Sequence, residues 1–272
     1  MTPLARLATA AIALGLTTFH LAAAADSSAR PSTGHTPTVI LVHGAFAESS
    51  SWDAVTARLH ARHLPVIAAA NPLRGLKDDA TFVSAIVGSV DGPVVLVGHS
   101  YGGSVISAAA QGQPNVKALV FVAAFAPDEG ESAFDLSARF PGSTLGEALA
   151  PPVVLSDGGK DLYIRQKEFS DQFAADLPRE VATLMAVSQR PVTEAALGEG
   201  APGAAWKSVP SWFIYGDGDR NIPPAALAFM AERAKSRKTI VVRGASHVVM
   251  MSNPDIVAGL IAEAAQTATA RP

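Results

Sequence analysis

The sequence predicts an α/β fold built on a mainly parallel sheet, and three observations carry that prediction. Short apolar runs recur at Thr38 to Val42, Pro65 to Ala70, Pro93 to Val97, Ala118 to Phe125, Trp212 to Tyr215 and Thr239 to Val242. Val94 to Val97 in particular suits a strand buried on both faces. Most are separated by segments of helix-like composition, such as Ser51 to His63, and that alternation builds parallel sheets through crossover connections. The third observation is local: Val94 to Val97 lead straight into Gly98-His99-Ser100-Tyr101-Gly102 and then into the small residues up to Ala110, the pattern of a sharp strand-to-helix turn.

Composition sets the outer bounds. A chain of 272 residues with 49% hydrophobic and 17% charged residues can bury a sizeable core. The net charge of -3, with no dense Lys/Arg cluster, gives no electrostatic reason to expect a nucleic-acid or anionic-membrane partner. There is no cysteine, which excludes disulfides, a thiolate nucleophile and a Cys-ligated metal.

In chain order, residues 1–25 come first: a positive charge at Arg6, an apolar stretch from Leu7 to about Leu21, and an A-x-A pattern at Ala23 and Ala25. These are the features of a secretory signal peptide. The stretch is short for a ~20-residue span and no stop-transfer charge cluster follows, so a secreted or periplasmic protein without a stable membrane anchor is expected. Residues 26–37, rich in Ser, Pro and Thr, are expected to be a flexible mature N-terminus.

The core is then expected over 38–127 and 207–272, interrupted by a helical cap at 128–206. The separation between Phe125 and Trp212 far exceeds the ~12 residues that a simple crossover needs. Within it Phe134, Phe140, Leu145, Phe169 and Phe173 are spaced in places as on amphipathic helices, with Pro and Gly breaks between. A cap there would cover the carboxyl ends of the strands, where open α/β sheets bind ligands.

Gly98 to Gly102 matches G-x-S-x-G, whose glycines flank the serine because the turn leaves no room there for a Cβ. Ser100 is then the candidate nucleophile; a glycine-rich connection in which Ser100 only caps the helix would read the same over five residues. A serine hydroxyl requires a base, and the acid and the histidine of such a triad follow the serine in that order. Of seven histidines, only His247 lies downstream of Ser100, in the loop after Thr239 to Val242. The acid belongs at the end of the preceding strand, where GDGD offers Asp217 and Asp219. Asp219 takes the tip of the turn, ahead of a helix beginning near Pro223 or Pro224; Asp217 suits turn formation, and Asp128 is a substitute acid. An oxyanion hole requires two backbone N–H groups, expected from Tyr101 and, in the first loop, from Ala45. Phe46, His99 and Val248 are expected to border the substrate.

Five motifs in order, LVHGAF with Trp52, GHSYGG, VFVAAFAPDEGESAF, GDGDRNIPP and GASHVVMMSNP, resemble the α/β-hydrolase superfamily. Within it they are similar to the branch that contains plant methyl esterases and hydroxynitrile lyases, over about Thr38 to Ala265. The resemblance implies a serine hydrolase that cleaves small carboxylic esters through an acyl-enzyme and calls for no metal and no organic cofactor. Hydroxynitrile-lyase, lactonase or perhydrolase activity on the same residues, or a non-catalytic binding protein, are the alternatives. The lyases of that branch place a lysine directly after the catalytic histidine and a hydroxyl or amide side chain after the histidine of the first loop. Val248 and Gly44 occupy those positions here, which favours the esterase reading.

Overall fold

Parallel strands covered by helices on both faces must be apolar along their whole length, and Val94 to Val97 and Val39 to Val42 meet that demand with no exposed surface at all. The computed structural model describes residues 36–269; the leader and most of the tail expected over 1–37 lie outside them. Six strands form the main sheet, and each neighbouring pair is parallel. These are β1 (Thr38–Val42), β2 (Val66–Ala69), β3 (Val94–His99), β4 (Val116–Val122) and, after an insert, two strands at Ser211–Gly216 and Lys238–Val242.

The crossovers are α1 (Asp53–His60), α2 (Leu76–Gly88) and α3 (Tyr101–Ala109). The insert that follows β4 holds α4 (Ala133–Arg139), α5 (Leu145–Ala148), β5 (Val153–Val154), β6 (Lys160–Leu162), α6 (Gln166–Phe173), α7 (Arg179–Ser188), β7 (Val192–Thr193) and α8 (Glu194–Gly198). The last two sheet strands are therefore β8 and β9; α9 (Pro224–Arg233) lies between them, and α10 (Val249–Ser252) and α11 (Pro254–Thr269) follow.

The sheet order is β2-β1-β3-β4-β8-β9. The chain leaves β1 in one direction and returns to β3 in the other, so a crevice opens at their carboxyl ends, the usual ligand position in such sheets. Both the first loop and the G-x-S-x-G turn end at that crevice.

Three details differ from the sequence-based expectation. The run from Ala118 to Phe125 does not continue as a strand: β4 stops at Val122, the backbone turns at Ala123 with φ 45°, and Phe125 N–H donates to Ser100 O at 3.1 Å. The insert is not wholly helical, because β5, β6 and β7 pair as a small antiparallel sheet. Strands of two or three residues are too short to show a period in sequence. The segment expected as a loop after His247 also contains the single helical turn of α10. No helix among the described residues is long and apolar enough to cross a membrane.

Candidate active site

The turn after β3 is as tight as its glycines imply. A Cβ on Gly98 would lie 2.5 Å from Gly102 O, one on Gly102 2.5 Å from Val42 O, and one on Gly103 2.3 Å from Phe125 O. With those approaches the chain folds straight from β3 into α3, and Ser100 is held at φ 55°, ψ −125°. A non-glycine residue there carries strain on the order of 1–3 kcal/mol. Hydrogen bonds on both sides hold it: Ser100 N–H donates to Val122 O at 3.3 Å, while Ser100 O accepts from Gly103 and Phe125.

The first loop packs directly on this turn. A Cβ on Gly44 would stand 2.6 Å from Ser100 Cβ, so only glycine allows the contact. His43 anchors the loop: its Nε2 accepts from Asn71 N–H at 3.0 Å, which puts the ring proton on Nδ1, where it faces Gly44 O at 3.0 Å. Burial lowers the pKa of His43, consistent with a neutral ring. Phe46 N–H donates to Arg190 O in the insert at 2.9 Å. The N–H groups of Ala45 and Tyr101 have no acceptor among the described residues, and both residues border the same cavity as Ser100.

Asp219 and His247 are joined and buried: His247 Nδ1 donates to Asp219 Oδ2 at 2.7 Å, with both side chains at or below 1% exposure. The other carboxylate oxygen accepts from Asn221 N–H at 2.8 Å and Ile222 N–H at 3.0 Å, so the backbone turn after β8 fixes the group. The alternatives are employed elsewhere. Asp217 is exposed and accepts from Gly244 N–H at 2.5 Å. Asp128 pairs with Lys207, whose hydrogen bond holds its carboxyl below the usual range. Ser100 and His247 line one cavity, but among the described residues no hydrogen bond joins them; such contacts often tighten only around a bound substrate.

Of the residues expected to border substrate, Phe46 lines the cavity, whereas His99 and Val248 do not. Both are fully buried. Val248 belongs to the buried hydrophobic core. His99 backs the site instead: its Nε2 donates to the His247 carbonyl at 3.0 Å and its ring lies 4.7 Å from the His247 ring. Burial, reinforced by His247, holds its imidazole well below the usual histidine range.

Four residues that the sequence did not mark also bear on the geometry. The Tyr101 hydroxyl donates to buried Asp79 at 2.8 Å, which holds the first turn of α3 against α2. Burial raises the pKa of both groups. Gln172 of α6 donates to Arg220 O at 2.9 Å and Asn221 Oδ1 at 3.2 Å, and Asn221 Nδ2 returns a bond to Gln172 O at 3.1 Å. Arg190, whose carbonyl holds Phe46, donates from Nε and Nη2, one edge of its guanidinium, to the two carboxylate oxygens of Glu48. No sequence period marks such residues, because their partners lie far away along the chain.

The cavity above Ser100 measures about 200 Å3. Core residues such as Ala45, Phe125 and Ile222 form its floor, and Phe134, Leu145 and Leu149 of the insert complete its wall.

A sheet of this order, with a strained serine on the β3–α3 turn and a buried Asp–His pair beside it, is the architecture of the α/β hydrolases. The chain belongs to that family: the model of the alpha/beta hydrolase family matches residues 39–260. Among similar proteins, the alpha/beta hydrolase nvfD of Aspergillus novofumigatus is 26% identical, over 84% of this chain and 96% of that protein. A pyrethroid hydrolase of Sphingobium wenxiniae is 28% identical, over 83% of this chain and 86% of its own length. Among solved structures, polyneuridine aldehyde esterase superposes with a TM-score of 0.71 at 18% identity, covering 84% of this chain and 99% of that one.

Proposed function

We propose that the protein is a serine hydrolase of carboxylic esters, with Ser100 as nucleophile, His247 as base and Asp219 as the residue that orients the imidazole. The observation that carries this reading is the buried Asp219–His247 hydrogen bond, opening onto the cavity in which Ser100 stands on its strained turn. Because Nδ1 is engaged by the carboxylate, Nε2 is left to exchange protons with Ser100 and the substrate. Similarity to proteins named pyrethroid hydrolase and polyneuridine aldehyde esterase supports hydrolysis as the reaction class.

Ser100 Oγ attacks the acyl carbon as its proton passes to His247 Nε2, and the carbonyl oxygen becomes an oxyanion received by the N–H groups of Ala45 and Tyr101. Collapse breaks the bond to the alkoxy oxygen, which takes the proton from His247 and leaves as the alcohol. A water then repeats the sequence: it gives its proton to His247 and its hydroxyl to the acyl carbon, and Ser100 recovers its proton as the acid departs. Gly44 supports ester cleavage over cyanohydrin cleavage, since its contact with Ser100 leaves no space for a side chain that would bind a cyanohydrin oxygen.

The test is covalent. A fluorophosphonate should add one equivalent to the protein, and peptide mapping should place it on Ser100; modification at another residue, or none, would refute the assignment. We also propose, from the composition of residues 1–25, that the chain is exported. N-terminal sequencing of protein from the native host should begin near Asp26, and recovery of Met1 would contradict export.

A further inference from the structure

The chemistry of the cavity walls narrows the substrate. None of the lining residues is Asp, Glu, Lys or Arg. The polar side chains that reach the cavity from its wall are mostly committed already. Asn221 exchanges both halves of its amide with Gln172. Ser143 Oγ donates to Asn221 O at 2.9 Å and accepts from Leu145 N–H at 3.3 Å. Away from Ser100 and His247, that leaves the Ser137 hydroxyl, which has no partner among the described residues. Aromatic and aliphatic side chains dominate the rest of the surface.

A carboxylate carried into such a space gives up its water and, away from the Ala45 and Tyr101 N–H groups that the scissile carbonyl takes up, meets neither a cation nor a set of donors, a transfer that nothing in the wall offsets. An apolar group gains by the same burial. The volume of about 200 Å3 is somewhat larger than the ~150 Å3 of an apolar cavity that holds one benzene.

We infer that the site takes neutral esters with an apolar group, of about the size of one aromatic ring or a short branched chain, and rejects esters that carry a carboxylate close to the scissile bond. This rests on the serine-hydrolase reading above. It concerns selection by the wall, not the reaction.

The experiment compares esters of the same heavy-atom skeleton in the intact protein. On the acyl side, methyl isocaproate is paired with monomethyl succinate; on the alcohol side, isoamyl acetate is paired with β-acetoxypropionate. Within each pair a branched methyl terminus is replaced by a carboxylate. The apolar member should lead in kcat/KM by tenfold or more in both pairs. A smaller ratio in either pair, or preference for the anion, would overturn the inference while leaving the hydrolase reading intact. If none of the four is turned over but a fluorophosphonate still modifies Ser100, the inference alone falls. If Ser100 is also left unmodified, both fall.

Discussion

The doubly wound core and the insert contribute to the site in different ways. Every residue to which we assign a chemical step stands on a loop of the core or at the first residue of α3, and those positions are set by backbone contact: Gly44 against Ser100, Gly102 against Val42, and Asp219 on its own turn amides. The insert supplies wall, and it is tied to the same loops largely by side chains. Gln172 holds the turn beyond Asp219, Asp176 bonds the hydroxyl of Ser246 beside His247, and Arg190 holds the first loop. Reactivity is thereby built into glycine positions that tolerate no change, whereas the shape of the wall can vary through side chains. Substitutions of the reacting side chains of the core should accordingly act on turnover with the fold intact, and those at the ties of the insert on stability and turnover together.

The largest effect should come from Ser100→Ala. A small residue replaces another in the turn, so the fold should persist, while the nucleophile is lost; by analogy with serine proteases the fall in kcat is on the order of 10⁶-fold. Steady-state assay of an ester that the native protein cleaves, alongside circular dichroism, checks both halves. Activity within about tenfold of native would move the chemistry off Ser100.

Asp219→Asn should come next, with kcat falling about 10⁴-fold, the loss seen when a triad acid can no longer fix the histidine tautomer. Asp217→Asn, at an exposed carboxylate bonded to Gly244, should stay close to native. Equal losses at the two positions would break the assignment of the acid to the buried aspartate.

Much of the core was legible before any coordinates, for physical reasons. Strands buried on both faces must be apolar throughout, and a turn in which a Cβ would stand 2.5 Å from another backbone atom must use glycine, so both constraints leave marks on sequence. Asp219 was legible because a strand end and a following proline place it. The end of β4 was not, since the apolar residues Ala123 to Phe125 continue the pattern while the backbone turns away to reach Ser100. The insert was legible as an insert but not in detail: VV, KDL and VT are strands only because they find each other. His99 was legible as a neighbour of the turn, yet its fully buried place behind His247 depends on tertiary packing.

A smaller effect is expected at the ties. Gln172→Leu keeps the side-chain volume but leaves Asn221 Oδ1, the Arg220 carbonyl and the Thr144 hydroxyl without their partner. The cost should be about 2 kcal/mol, or roughly 5 °C in Tm, and because the turn beyond Asp219 loosens, kcat should drop about tenfold. Calorimetry and assay on the same preparation test it. A normal Tm with full activity would show that the insert is not coupled to the acid through this residue.

The smallest effect, and the one that separates a core tie from a core catalyst, is at Asp79. Burial raises its carboxyl above the ordinary value of 3.8, although Tyr101 O–H and Arg74 N–H both donate to it. A carboxyl raised in the folded state binds its proton more tightly folded than unfolded, so its contribution to stability is fully present below the unfolded value and is lost as pH rises through the folded one. Stability should therefore decline from about pH 4 upward by the share that this group contributes. Asp79→Asn removes the titration while keeping the geometry, since the amide oxygen can accept from Arg74 N–H and the Tyr101 hydroxyl can turn to accept from the amide nitrogen. The variant should lose less Tm than the native protein between pH 4 and pH 7, and ester turnover at a fixed pH should change by only a small factor, because Asp79 holds the ring of Tyr101 and not its backbone N–H. An unchanged pH slope in the variant would mean that this carboxyl is not the group that makes the core pH-sensitive.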